Sequence, residues 1–208
     1  MLVASLLALL AAAGPPSPFV IREMGSEDLG AAANVLADSF PGTDGGGGGG
    51  GRGWLSRKVE RVNSYLALRS RHETFRYADR TGSLRSALVA CQRSDGRVVG
   101  VCEVDDSAPP GDEIAPAPRP YVANLAVDAD CRRMGLATAL LEEVEEIVRG
   151  WGGGRRERLH LRVREDNVAA REMYVRNGYE EIIDGVDGSA PSSPRGEGRG
   201  ILLMGKEL

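Results

Sequence analysis

The chain has 208 residues, 42% hydrophobic and 27% charged, which is the composition of a globular protein and excludes both a fully disordered chain and a polytopic membrane protein. Acidic residues (30) outnumber Lys and Arg (26), and the formal net charge of -4 excludes a general coat for nucleic acid or anionic membrane. Three cysteines (Cys91, Cys102, Cys131) and two histidines (His72, His160) provide neither a disulfide framework nor a metal-ligand spacing, so three buried thiols and no metal site are expected.

Residues 2–13, LVASLLALLAAA, are apolar but too short to span a membrane. They fit the hydrophobic stretch of a signal peptide, with Ala11-x-Ala13 as a small-residue cleavage site, although no Lys or Arg precedes them. The stretch lacks the Ser and Arg of a transit peptide, and a spurious start is the competing explanation. Residues 1–17 are therefore set apart as a targeting-like segment, and 18–208 are read as one domain with flexible loops at 42–53, 105–120 and 187–199.

Phe19 to Met24 reads as a strand. From Ser26, apolar residues at Leu29, Ala32, Leu36 and Phe40 keep helical spacing until Pro41-Gly42. The glycine run Gly45–Gly51 lacks the following Lys-Ser or Lys-Thr and the preceding strand of a P-loop. Trp54 to His72 predicts a helix whose apolar stripe is Leu55, Val59, Val62 and Leu66. Between Arg52 and Arg80 lie eight Lys/Arg and three Asp/Glu, a basic face suited to an acidic substrate or simply to water. Ser86–Arg93 and Arg97–Glu103, joined by Ser94-Asp95-Gly96, predict a hairpin. Prolines 109, 110, 116, 118 and 120 keep the next segment a loop, and Tyr121–Val127 is a buried strand. Leu136–Arg149 is an amphipathic helix with Leu136, Leu140, Val144 and Val148 inward and Glu142, Glu143, Glu145 and Glu146 outward. Leu159–Val163 (strand), Asn167–Asn177 (helix closed by Gly178), and strands at Glu180–Ile183 and Gly200–Met204 complete the order. The fold class is α/β (α+β): a mixed, mostly antiparallel sheet of about six to seven strands flanked by about four helices.

Between the strand at Tyr121–Val127 and the helix from Leu136 lies Arg132-Arg133-Met134-Gly135. A helix N-terminus presents unpartnered N–H groups and the positive end of the dipole. Gly135 and Ala137 keep side chains away, Arg132 and Arg133 add charge, and Thr138 adds a hydroxyl, so this is an anion site. No Walker lysine accompanies it, so a nucleoside triphosphate is not its natural ligand.

Arg132-x-x-Gly135-x-Ala137 resembles the Q/R-x-x-G-x-G/A signature of the GNAT acyl-CoA N-acyltransferases. Asn167-x-x-Ala170-x-x-x-Tyr174-x-x-x-Gly178-Tyr179 resembles a second element of that family. The proline-rich loop followed by Pro-Tyr-Val-Ala-Asn-Leu-Ala-Val resembles the plant and algal plastid-type group, whose members are associated with acetylation of protein N-termini and lysines, one branch with arylalkylamines. The resemblance implies the GNAT fold and acetyl-CoA as co-substrate, with no metal. It implies that Leu125, Ala126 and Val127 meet the pantetheine arm and that Arg132, Arg133, Gly135, Leu136, Ala137 and Thr138 hold the pyrophosphate. Asn167 is expected to cap its helix and face the cofactor arm, and Tyr174 matches the general acid.

The sequence departs from the pattern at the general base. Tyr121 stands where many relatives carry glutamate, and Arg162 where some N-terminal acetyltransferases do. A water relay through Tyr121 or Asn124 is the expected substitute. A weak base favours an amine that is already partly neutral, an α-amine of pKa near ~8 over a lysine near ~10.4. The expected acceptors are thus protein or peptide α-amines and also lysine ε-amines, with no nucleic-acid or stable membrane partner. A small-amine acetyltransferase and a non-catalytic acyl-CoA-binding module are the alternatives. The plastid is the expected compartment, the cytoplasm the alternative.

Overall fold

A computed structural model describes residues 17–40, 54–78, 84–106, 120–151, 158–182 and 200–208. Most of the targeting-like segment, the glycine run, and the loops expected at 105–120 and 187–199 lie outside these residues, apart from the ends of the first loop.

Seven strands form one sheet: β1 (Phe19–Glu23), β2 (Arg85–Gln92), β3 (Val98–Asp105), β4 (Tyr121–Val127), β5 (Arg158–Arg164), β6 (Glu180–Glu181) and β7 (Ile201–Glu207), in the spatial order β1-β2-β3-β4-β5-β7-β6. The helices are α1 (Leu29–Ser39), α2 (Trp54–Ala78), α3 (Leu136–Gly150) and α4 (Val168–Arg176), with single 3-10 turns at Ser26–Asp28 and Ala129–Cys131. All neighbouring strands are antiparallel except β4 and β5. The expected class, element order and hairpin are present. Gly96 takes φ +72 in the hairpin turn, and the Asp95 carboxylate accepts the Arg97 N–H at 3.0 Å.

The period-two alternation of the strands divides the interior in two. On β2, Leu88 and Ala90 face the core under α3 and α4, while Ala87, Val89 and Cys91 face the core under α1. Leu136, Leu140, Leu141, Val144 and Val148 anchor α3 on the first face. Met24, Leu29, Ala32, Ala33 and Leu36, with Leu68 from α2, fill the second. Cys91, Cys102 and Cys131 are free and buried, as expected, and burial pushes each thiol up from its usual range.

Two expectations fail. The α2 stripe does not face the core: Val59, Val62 and Leu66 are 57%, 50% and 54% exposed. The helix packs chiefly on α1, with Leu68 and Tyr65 inward and Arg61 reaching Asp38 at 3.3 Å, so a different arc is covered. Periodicity shows that a face exists but not which neighbour covers it. Leu55 lies outside the described side chains. The second failure is Glu145, which is only 3% exposed. It sits on the α3 edge that meets β7, where Lys206 Nζ donates to its Oε2 at 2.6 Å and the Tyr179 hydroxyl to its Oε1 at 3.2 Å. β6 also ends early, at Glu181, and β7 continues to Glu207.

Candidate active site

The site begins with one extra residue in β4. Val101 of β3 lies opposite Ala126, but Glu103 lies opposite Ala123, so three steps along β4 match two along β3. The excess is absorbed at Asn124, which takes φ +54, a left-handed conformation that asparagine tolerates better than most residues. On the other edge of β4, pairing with β5 is limited to Tyr121 opposite His160 and Val122 opposite Leu161. Beyond Val122 the parallel strands part, and among the described residues no β5 register pair covers Ala123 to Val127. This leaves a strand edge of extended backbone, able to pair with an amide-rich chain. Leu125 lies beside that gap half-buried, and Ala126 and Val127 are buried at 4% and 8%.

The mouth of the gap is the anion cradle. Arg132 Nε donates to the Val127 carbonyl at 3.0 Å, which anchors its guanidinium beside the end of β4. Arg133 and Gly135 take φ +60 and +79, which curls the loop ahead of α3. Gly135 is the N-cap residue, no side chain caps the helix, and a Cβ there would meet nothing within 4 Å. The cradle is thus open, and the N–H groups of Leu136, Ala137 and Thr138 have no side-chain cap. Thr138 Oγ1 accepts Asn177 Nδ2 at 3.3 Å, and the same Nδ2 donates to the Met173 carbonyl at 2.7 Å. With its oxygen engaged, the Thr138 hydroxyl proton is directed to another acceptor. Asn177 was not singled out by the sequence, because an Asn-Gly pair after a helix reads as a helix end. Asn167 caps α4 as expected, its Oδ1 accepting Ala170 N–H at 3.3 Å.

Tyr174 comes to the site from α4, 8% exposed and edge-on to Tyr179 with ring centroids 5.9 Å apart. Burial, with smaller contributions from Cys102 and Tyr121, raises its phenol above the usual value, so it carries its proton at neutral pH. Tyr121 and Cys102 are thus close enough to act on it electrostatically, which brings β3, β4 and α4 to one place.

Asn124 belongs to the other side of the sheet. It lines a cleft of about 320 Å³ with Leu36, Phe40, Asn63, Ser64 and Ala67, between α1 and α2. Its Nδ2 donates to Glu103 Oε2 at 2.8 Å. Glu103 is 3% exposed and was missed by the sequence reading, which found no carboxylate. The available signal was an acidic residue inside the apolar run Val98–Val104. His160, opposite Tyr121, is 9% exposed; burial lowers its pKa, and Nδ1 lies 3.3 Å from the Pro120 carbonyl. Among the described residues no group of three His, Cys, Asp or Glu side chains is placed to hold a metal, and no helix is long and apolar enough to cross a membrane.

A parted parallel strand pair leading into an open, glycine-headed helix N-terminus has a donor set that fits the two ends of a coenzyme A chain. The strand edge suits pantetheine amides, and the uncapped amides, two arginines and Thr138 suit a diphosphate. These features define an acyl-CoA-dependent transferase. Residues 58–179 match the model of the Acetyltransferase (GNAT) family, and the chain belongs to that family. It is therefore an acetyltransferase with acetyl-CoA as co-substrate.

Solved structures agree in fold. The PaiA N-acetyltransferase from Thermoplasma acidophilum, in complex with coenzyme A, is 18% identical, with a TM-score of 0.61 over 91% of this chain and 99% of its own. A GCN5-related N-acetyltransferase from Kribbella flavida is 16% identical, with a TM-score of 0.56 over 93% and 100%. The ribosomal-protein-alanine N-acetyltransferase from Brucella melitensis is 20% identical, with a TM-score of 0.54 over 91% and 99%. No curated protein matches the sequence.

Proposed function

We propose that the chain transfers the acetyl group of acetyl-CoA to the α-amine of a protein or peptide, and secondarily to lysine ε-amines, by direct attack of the amine on the thioester. The observation that carries this reading is the parting of β4 from β5 after Val122, with a cleft lined by Asn124 of the same strand. It supports a site reached from two directions, the cofactor along the strand edge and the acceptor through the cleft.

Acetyl-CoA supplies the activated acyl group. Leu125, Ala126 and Val127 offer the backbone edge for pantetheine. Arg132, Arg133, Gly135, Leu136, Ala137 and Thr138 form the diphosphate cradle, and Asn167 fixes the start of α4, whose other end reaches Thr138 through Asn177. Backbone N–H groups of β4 polarise the carbonyl, and holding both substrates in one gap supplies much of the rate. The protonated Tyr174 hydroxyl gives its proton to the departing sulfur. The amine proton leaves through ordered water near Tyr121 and Asn124.

The cleft side chains are uncharged, which favours a first residue without a second positive charge and disfavours polyamines. The ribosomal-protein-alanine N-acetyltransferase is a fold neighbour whose name gives a protein as its substrate, and it lends this reading support by analogy only. The plastid is the proposed compartment, resting on residues 1–17. Purely cytosolic signal from residues 1–40 fused to a fluorescent protein would refute that assignment.

The test is acetyl transfer by the full chain from acetyl-CoA to peptide N-termini, internal-lysine peptides and arylalkylamines, with products read by mass spectrometry. Acetylated α-amines support the proposal. Exclusive acetylation of arylalkylamines would overturn the substrate class. Tight acetyl-CoA binding with no product from any amine would replace the enzyme with a binding module.

A further inference from the structure

Resting on the transferase reading above, we infer that Glu103 is a positioning residue: by taking the Asn124 amide N–H, it turns the Asn124 side-chain oxygen toward the cleft, where that oxygen accepts the hydrogen bond of the incoming amine.

Glu103 sits in a strand whose neighbours Val101, Cys102 and Val104 are fully buried. A carboxylate in such a strand is costly unless polar partners meet it. One partner is Asn124 Nδ2 at 2.8 Å, across from the register shift itself. A carboxamide has one donating and one accepting end. Glu103 Oε2 takes the donating end. The accepting end is what remains for the cleft that Asn124 lines. An attacking amine is neutral and must aim its lone pair at the carbonyl carbon. An acceptor that holds one of its N–H groups restricts the rotation that would turn the lone pair away. The left-handed φ of +54 at Asn124 places this side chain at the point where β4 and β5 separate.

The test compares wild type, E103Q, N124A and the reciprocal pair E103Q/N124D in the full chain, varying the amine at saturating acetyl-CoA and the reverse. E103Q removes the preference for one amide orientation, and N124A removes the acceptor. Each should raise KM for the amine about tenfold and lower kcat, with KM for acetyl-CoA within about twofold. In the reciprocal pair, the new amide at 103 donates to the new carboxylate at 124, whose second oxygen faces the cleft, so most of the loss should return. A role confined to holding the strand shape also predicts that return, but with equal loss toward both substrates. Wild-type amine KM in E103Q, equal loss toward both substrates, or a reciprocal pair no better than the single variants would overturn the inference. If E103Q does not fold, the Asn124 side-chain amide of the wild-type protein gives the readout by NMR. Protection of its protons from exchange supports the pairing, and exchange at the solvent rate overturns it. A wild type that acetylates no amine refutes the transferase reading instead, and the NMR result still decides the Glu103–Asn124 orientation.

Discussion

Gly135→Ala separates the backbone requirement of the anion cradle from its ligand requirement. The new methyl would meet nothing within 4 Å, so packing imposes no cost. The residue is held at φ +79, and an alanine there costs about 1–2 kcal/mol of stability. For a domain of this size each kcal/mol lowers Tm by about 2–4 °C, so the expected drop is about 2–8 °C. Gly96→Ala is the control, since Gly96 has φ +72 and equally open surroundings but lies in the β2–β3 hairpin turn. Both variants should lose similar stability. Only Gly135→Ala places a methyl at the N-cap of α3, in the open space the anion would take, so its Kd for coenzyme A should rise at least about tenfold, or 1.4 kcal/mol. Calorimetric titration with coenzyme A and thermal melts of both variants measure the two effects. Equal coenzyme A affinity in the two variants would refute the placement of the diphosphate at this helix.

Tyr174→Phe should lower kcat by about 10²-fold or more, with little change in Tm, because the ring and its edge contact with Tyr179 remain; steady-state kinetics at saturating substrates checks this. Glu145→Ala should destabilise the fold by about 3 kcal/mol, the lower end for a broken buried pair because Lys206 is partly exposed; urea unfolding measures it. Asp28 accepts Arg22 Nη1 at 2.6 Å and Gly25 N–H at 2.8 Å, and the Arg22 hydrogen bond chiefly lowers its pKa below the usual 3.8. The unfolded chain therefore binds this proton more readily, so the stabilisation is present above about pH 4 and is lost as pH falls through the folded pKa. Arg22→Met should reduce that acid-dependent loss when unfolding is measured from pH 6 to pH 2.

The two helix starts were legible in the sequence because local chemistry dictates them, whereas the strand edge entered only as what the family resemblance implies. Gly135 before an amphipathic helix and Asn167 three residues before Ala170 announce a bare and a capped helix start. The carboxylates were not legible, because their burial is decided by distant segments. Glu145 has the spacing of a solvated residue until β7 brings Lys206 and the end of α4 brings Tyr179. Val59, Val62 and Leu66 have the spacing of a core stripe, but the helix turns Leu68 and Tyr65 inward. Glu103 stood in plain sight in an apolar strand, and only the register of β3 against β4 gives it Asn124 as a partner.

That register links the two halves of the site. In a regular ladder, β4 would keep its alternation and continue along β5, closing the gap and leaving no edge for an acyl carrier. The added residue at Asn124 rotates the following backbone, so Leu125 returns to the first core while Ala126 returns to the second. The strand thereby stays fastened to β3 as far as Val127 opposite Gly100, while its other edge opens after Val122. A non-glycine residue at positive φ costs about 1–2 kcal/mol. The Glu103 hydrogen bond and the apolar packing of Leu125, Ala126 and Val127 offset that cost. Removing Glu103 therefore acts on the opening of the sheet as well as on the cleft, which is why its kinetic test turns on an amine KM that moves apart from the acetyl-CoA KM.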